Sequence, residues 1–153
     1  MRLVRATNRH VSAMALLMTE SPLLRRYGVT PRGARARLAE GLRARDLLLV
    51  ALGPDVVGFA WVIASRALDR TAYLRLLLVA EGRQSSGIGS ELLARAEGLA
   101  KRQGAPHLAL LVTKTNRRAR TFYERHGYRH VGDLPGFVRR SIDEALYIKD
   151  IVG

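Results

Sequence analysis

The chain contains no cysteine. That excludes a disulfide framework, a thiolate zinc site and a cysteine nucleophile. Long hydrophobic runs are missing as well. No unbroken apolar stretch exceeds six residues, Leu47–Leu52 among them, whereas a membrane-crossing helix needs roughly 18–20. The opening Met1-Arg2-Leu3-Val4-Arg5 lacks the apolar core that follows the charges of a secretion signal. These absences lead us to expect a soluble, cytoplasmic protein with no membrane partner. Acidic residues and lysines are also scarce: 13 Asp and Glu face 26 Lys and Arg, of which only Lys101, Lys114 and Lys149 are lysine.

The resulting charge of +13 at pH 7 can attract nucleic acid, an anionic surface or an acidic substrate. It equally fits an arginine-biased composition coating a solvated surface. The arginines are spread along the chain, with Arg32, Arg35, Arg37, Arg43 and Arg45 the densest group, and no block of like charge marks a binding tail. Charge alone does not choose between these readings.

What is present is ordinary for a globular domain: 153 residues, 48% apolar and 25% charged. Nothing resembling a linker, repeat or low-complexity run divides it, so residues 1–153 are expected to form one domain. Residues 2–6 read as a first strand. Thr7 or Asn8 can cap a helix with Val11, Met14, Ala15, Leu17 and Met18 on one face, ending before Pro22. Thr30 followed by Pro31 opens a second helix, with Ala34, Leu38 and Leu42 at spacings of four. The runs 46–52, 56–65 and 71–80 predict three strands of an antiparallel meander. A helix follows the glycine-bearing loop 82–89 and ends at Gly104. His107–Thr113 reads as a buried strand, and Asn116 opens a helix that stops at Gly127. Two last strands, Tyr128–Val131 and Ala145–Ile151, are expected to flank an Asp133–Glu144 loop. The expected fold is a mixed α/β sheet.

The loop Gly82-Arg83-Gln84-Ser85-Ser86-Gly87-Ile88-Gly89 lies between a strand and a helix. In that setting loop and first-turn N–H groups converge on one spot, where the helix dipole adds positive potential, an arrangement suited to phosphate. It is not a P-loop, because Ile88 and Gly89 follow Gly87 where Lys and Ser/Thr would stand. Leu92 occupies the position of a dinucleotide fingerprint's third glycine, and Arg83 that of a nucleophile elbow's first.

Gln84-x-x-Gly87-x-Gly89 resembles the Gln/Arg-x-x-Gly-x-Gly/Ala signature of the GCN5-related N-acetyltransferases (GNAT). Asn116-x-x-Ala119-x-x-Phe122-Tyr123-Glu124-x-x-Gly127-Tyr128 is similar to that family's second signature. The order of elements fits over almost the whole chain. Glu81 and Ser85 depart from the proline and glycine frequent in the family. The resemblance implies a mostly antiparallel sheet flanked by helices, with the fourth and fifth strands splayed into a wedge, and acetyl-coenzyme A as co-substrate. It implies that the N–H groups of Gln84, Ser85, Ser86, Gly87, Ile88, Gly89 and Ser90 hold the pyrophosphate. The backbone of Leu77, Leu78 and Val79 would meet the pantetheine arm, with an N–H near Val79 polarising the thioester carbonyl. Asn116 would contact the same arm, although it equally suits a helix cap, and Ala119 and Phe122 line the site. Tyr123 would protonate the leaving thiolate, or else serve as core.

An amine of pKa about 10 arrives protonated, so a base is expected. The fourth strand carries no carboxylate, leaving Glu20, Asp69, Glu81, Glu144 or a water relay. His126 and His130 flank Gly127 and do not read as a metal pair. The expected acceptor is a small-molecule or peptide amine. Arg139 and Arg140 of the 133–144 loop would favour an acidic one, if that segment walls the pocket rather than being a solvated connection. Two other readings stand beside acetyl transfer, a non-catalytic coenzyme A-binding module and a basic nucleic-acid-binding protein. Proteins of this resemblance are commonly homodimers.

Overall fold

In a computed structural model, residues 1–152 are described. The chain runs through β1 (Arg2–Arg5), a 3-10 turn (Asn8–His10), α1 (Val11–Glu20), α2 (Pro22–Arg26), α3 (Pro31–Arg43), β2 (Leu47–Leu52) and β3 (Val56–Ile63). It continues through α4 (Ala67–Arg70), β4 (Ala72–Val79), α5 (Ile88–Arg102), β5 (His107–Thr113), α6 (Arg117–Arg125), β6 (Arg129–Arg139) and β7 (Ile142–Asp150). The strands form one seven-stranded sheet in the order β1-β2-β3-β4-β5-β7-β6. Every pair is antiparallel except β4–β5.

Local chemistry starts the helices. Thr30 Oγ1 accepts from Gly33 N–H at 3.1 Å, with Pro31 in the first turn of α3. The same device, Ser21 accepting from Leu24 N–H at 3.3 Å ahead of Pro22, opens α2. From the sequence Pro22 marks only a stop, because five residues are too few to show a helical period.

Both faces of the sheet are covered. Along β2, Leu48 and Val50 join Met14, Leu38, Phe59 and Trp61 beneath α1 and α3, while Leu47, Leu49 and Ala51 join Leu92, Leu93 and Ala96 beneath α5. This alternation is the strand period of two, and burial on both sides explains why β2 reads as an unbroken apolar run.

Position 75 shapes the middle of the sheet. Between β3 and β4, Trp61 opposes Leu76 and Val62 opposes Leu74, so Arg75 has no partner. This is a β-bulge, which bends its strand. The Arg75 guanidinium lies 4.3 Å above the Trp61 ring. On the other edge, β4 pairs with β5 only at Ala72–Leu108, Tyr73–Ala109 and Leu74–Leu110. The pairing stops where the bulge begins, and the strands part as the expected wedge.

One expectation is overturned. Residues 133–144 are not a loop, since β6 extends to Arg139 and β7 begins at Ile142. The turn-like residues Pro135 and Gly136 fall in a stretch without register partners between Leu134 and Arg139, where a strand needs no N–H from proline. Gly136 has φ +56° and donates its N–H to Asp143 Oδ1 at 2.9 Å.

The packing of α3 separates two helical glycines. A Cβ on Gly41 would sit 2.8 Å from Trp61 Cζ2, whereas one on Gly98 in α5 would meet nothing within 4 Å. Gly98→Ala should therefore gain about 0.5–1 kcal/mol from helix entropy. Gly41→Ala should lose about 1–3 kcal/mol from overpacking. Urea unfolding of both variants checks the opposite signs.

Candidate active site

The wedge opens into a cavity of about 1010 Å³. Its floor is the free edge of β4. Ala80 N–H donates to Val57 O at 2.8 Å, which fixes the phase of the β3–β4 ladder. Backbone groups alternate along a strand, so those of Leu78 face β3 while those of Leu77 and Val79 face the gap. Gln84 Nε2 donates to Val79 O at 3.4 Å, leaving the Val79 N–H directed into the wedge.

The second wall is the loop into α5. Gly82, Ser85 and Gly87 have φ of +82°, +64° and +89°. Arg83 N–H donates to Ala80 O, and the next backbone donor is Glu91, to Gly87 O at 3.1 Å. Among the described residues, the N–H groups between them, from Gln84 to Ser90, donate to no atom of the chain. A Cβ on Gly87 would meet nothing within 4 Å, so the space above the loop is open. These unspent donors at a helix start form a concave anion cradle. Arg118 donates to Ser85 Oγ at 2.8 Å and lines the same cavity with Arg117 and Arg125, placing positive charge at its rim.

The third wall is α6. Asn116 Oδ1 caps the helix by accepting from Ala119 N–H at 3.1 Å, and the residue also lines the cavity. Both readings of Asn116 thus apply to one side chain, whose amide N–H groups stay available. Phe122 lies against Gly89, whose added Cβ would stand 3.5 Å from the ring. Tyr123 packs edge-on to Phe122 at 5.2 Å. It is buried, yet it lines the cavity as well. Burial, and secondarily Tyr73, raise its phenol above the ordinary value, so the hydroxyl keeps its proton.

His126 ties α6 to the cradle. Its Nδ1 lies 2.7 Å from Phe122 O, which can only accept, so Nδ1 donates there, and its Nε2 is hydrogen-bonded with Ser90 Oγ at 2.9 Å. His130 bonds Asp133 instead, at 2.8 Å.

The structure brings Leu77, Leu78, Val79, Gln84, Ser85, Gly87, Gly89, Ser90, Asn116, Ala119, Phe122 and Tyr123 to one cavity. Ser86 and Ile88 are not on its wall. Ile88, the first residue of α5, buries its side chain in the core and the Ser86 hydroxyl donates to Arg83 O, so each offers only its backbone. Sequence reasoning missed Ser21 and Pro22, which close the cavity from the α1–α2 turn, and the cationic rim. The pair Arg117-Arg118 directly after Asn116 was the available signal for the rim.

The base candidates separate. Glu20 and Asp69 are exposed, Asp69 at the opposite end of β4 from Val79. Glu81 is exposed at the cavity, with Gln84 Nε2 at 3.5 Å. Glu144 on β7 is 3% exposed and accepts from Tyr27 Oη at 2.6 Å. Arg139 is not free for a substrate. Its Nε and a terminal nitrogen donate to Tyr27 O at 2.9 and 2.7 Å, fastening the β6–β7 hairpin to the end of α2.

Comparison with known proteins agrees with this geometry. The family model described as acetyltransferase (GNAT) family matches residues 16–128. Streptothricin acetyltransferase of Streptomyces lavendulae is 36% identical over 111 residues, 71% of this chain. The chain spans about half the length of that relative, 53%. The crystal structure of a nourseothricin acetyltransferase is 26% identical with a TM-score of 0.65, covering 70% of this chain and 66% of that one. An aminoglycoside 6'-N-acetyltransferase complexed with coenzyme A shares the fold, with a TM-score of 0.81 at 17% identity over 100% of this chain and 98% of that one. With the wedge, the cradle and the matched model in agreement, the chain belongs to the GNAT family of acetyltransferases.

Proposed function

We propose that the protein transfers the acetyl group of acetyl-coenzyme A to a primary amine by direct attack on the thioester, with the site residues named above in the roles that follow. The observation that carries the reading is the unspent cradle of Gln84–Ser90 opening onto the free edge of β4, with the Tyr123 phenol buried beside it. The residues fit the co-substrate. A pyrophosphate is the ligand that converging N–H groups at a helix start accept, and a Cβ at Gly87 would intrude on that space. Arg117 and Arg118 supply countercharge at the rim. An extended amide-bearing arm can complete the strand edge that β5 leaves unpaired, bonding Leu77 and Val79.

When bound, the co-substrate supplies an acetyl group activated as a thioester. In this reading the Val79 N–H donates to the thioester oxygen as negative charge develops there. Tyr123 holds a proton for the departing sulfur. The amine enters from the α1–α2 side, past Ser21 and Pro22. Streptothricin, the acceptor named for the relative, is the first amine to test.

Calorimetric titration with acetyl-coenzyme A, beside 3',5'-ADP and a DNA duplex, tests the reading. Saturable binding of the thioester is expected. No coenzyme A binding, with tight salt-dependent binding of DNA, would replace the reading. Two variants sharpen it. Gly87→Asp forces a charged side chain onto a left-handed position in the cradle and should weaken acetyl-coenzyme A by about 30-fold or more, roughly 2 kcal/mol. Tyr123→Phe should keep that affinity and lower kcat by about 100-fold or more. Unchanged kcat would assign Tyr123 to packing.

A further inference from the structure

Glu144 is a buried carboxylate without a cation. The ion pairs among the described residues use Asp133, Asp150 and Glu97, and none includes Glu144 although bases outnumber acids two to one. A charge removed from water is retained at a cost unless something pairs with it. Tyr27 satisfies one oxygen, donating to Oε2 at 2.6 Å, and also contacts Thr113 Oγ1. Among the described residues no other hydrogen bond reaches the carboxylate, and no fully buried side-chain polar atom goes without a partner. Oε1 therefore keeps an opening to solvent.

Its position is as telling as its isolation. Glu144 pairs with Thr113, three residues beyond Leu110, where β5 leaves β4. That is about 10 Å along the strand, level with Leu77 across the gap. Ala145 and Tyr147 enter the core beneath α5, so by strand alternation Glu144 faces the α1–α3 side, from which Tyr27 reaches it. Tyr123 belongs to the α5 side. Burial raises the Tyr73 phenol, Arg75 opposes the rise and Glu144 adds to it, and Tyr73 adds to the rise at Tyr123. The groups facing Glu144 are thus Tyr27, with Arg26 and Arg139 beyond it, Thr113 and Tyr73. Leu134 lies opposite on β6, and the neighbouring Asp143 side chain is turned to Gly136 N–H.

We propose that Glu144 is the site where the acceptor's ammonium docks and the general base that takes its proton, with Tyr27 as its positioning residue. The missing cation is the substrate. This rests on the acetyl-transfer reading and names its acceptor class: a cationic primary amine. One proton passes from R–NH3⁺ to Oε1 of Glu144. The free amine forms the N–C bond as the C–S bond breaks. Sulfur takes the Tyr123 proton, and the second proton shed by nitrogen restores the phenol. Glu144 returns its proton to solvent, so one proton is released per turnover. Burial and the Glu144 hydrogen bond push the Tyr27 phenol up to about 12, so Tyr27 remains a donor to the carboxylate throughout the working range.

The test compares native protein with Glu144→Gln, which keeps the size and the Tyr27 contact. Acetyl-coenzyme A turnover is followed from pH 6 to 9.5 with streptothricin and spermidine. The variant should lose about 100-fold or more in kcat/KM at pH 7. The deficit should shrink as pH approaches the amine's own pKa of about 10, where free amine is abundant. A pH-independent deficit, or none, overturns the proposal. The thermal midpoint gives a readout independent of the acceptor. Relieving an unpaired buried charge should raise it by about 2–4 °C, whereas a lowered midpoint would make Glu144 a structural latch. Native protein that neither binds acetyl-coenzyme A nor acetylates either amine would defeat the acetyl-transfer reading itself.

Discussion

The unpaired Arg75 in β4 is the constraint on which the site depends. One extra residue against β3 bends the strand. The short parallel ladder with β5 then ends at Leu74–Leu110. Had the ladder continued, β5 would have consumed the outward groups of Leu77 and Val79, and the sheet would have closed over the space Tyr123 now borders. The guanidinium of Arg75 rests on Trp61, whose indole N–H is held by Asp46 at 2.9 Å. The bulge is therefore anchored into the α1–α3 core and is not a slack point.

From that parting the cavity acquires three chemically different walls. The β4 edge offers strand-like backbone groups, the loop into α5 offers convergent N–H donors, and α6 offers an aromatic face capped by Asn116. His126 joins two of the walls through Ser90 and Phe122, so cradle and aromatic face are built as a unit. Some of the arginine excess has a structural use. Arg70 and Arg139 donate to Gln103 O and Tyr27 O, carbonyls at the ends of α5 and α2 that would otherwise lack partners. Arg120 reaches Lys114 O and the Tyr147 hydroxyl.

What the sequence made legible was local. Thr30-Pro31, the glycines at 87 and 89 and the Asn116 cap act within a few residues, and each stands where its chemistry required. The residues of that loop and of α6 that line the cavity were readable because their spacing reflects one loop and one helix. The bulge was not, since register is a relation between strands. The β6–β7 hairpin hid behind Asp133, Pro135 and Gly136, residues that also serve irregular strands. Arg139 looked like a free cation because nothing nearby in sequence announces the Tyr27 carbonyl 112 residues away. Glu144 was one carboxylate among several until folding buried it beneath Tyr27, 117 residues earlier.

Residue-resolved amide exchange of native protein, with and without acetyl-coenzyme A, tests the central claim most directly. The account predicts that the thioester slows exchange at the Gln84–Ser90 amides and at Leu77 and Val79, while Leu78, already bonded to β3, stays as it was. Binding without protection of those amides would contradict it, because neither the cradle nor the open strand edge would then be what holds the ligand.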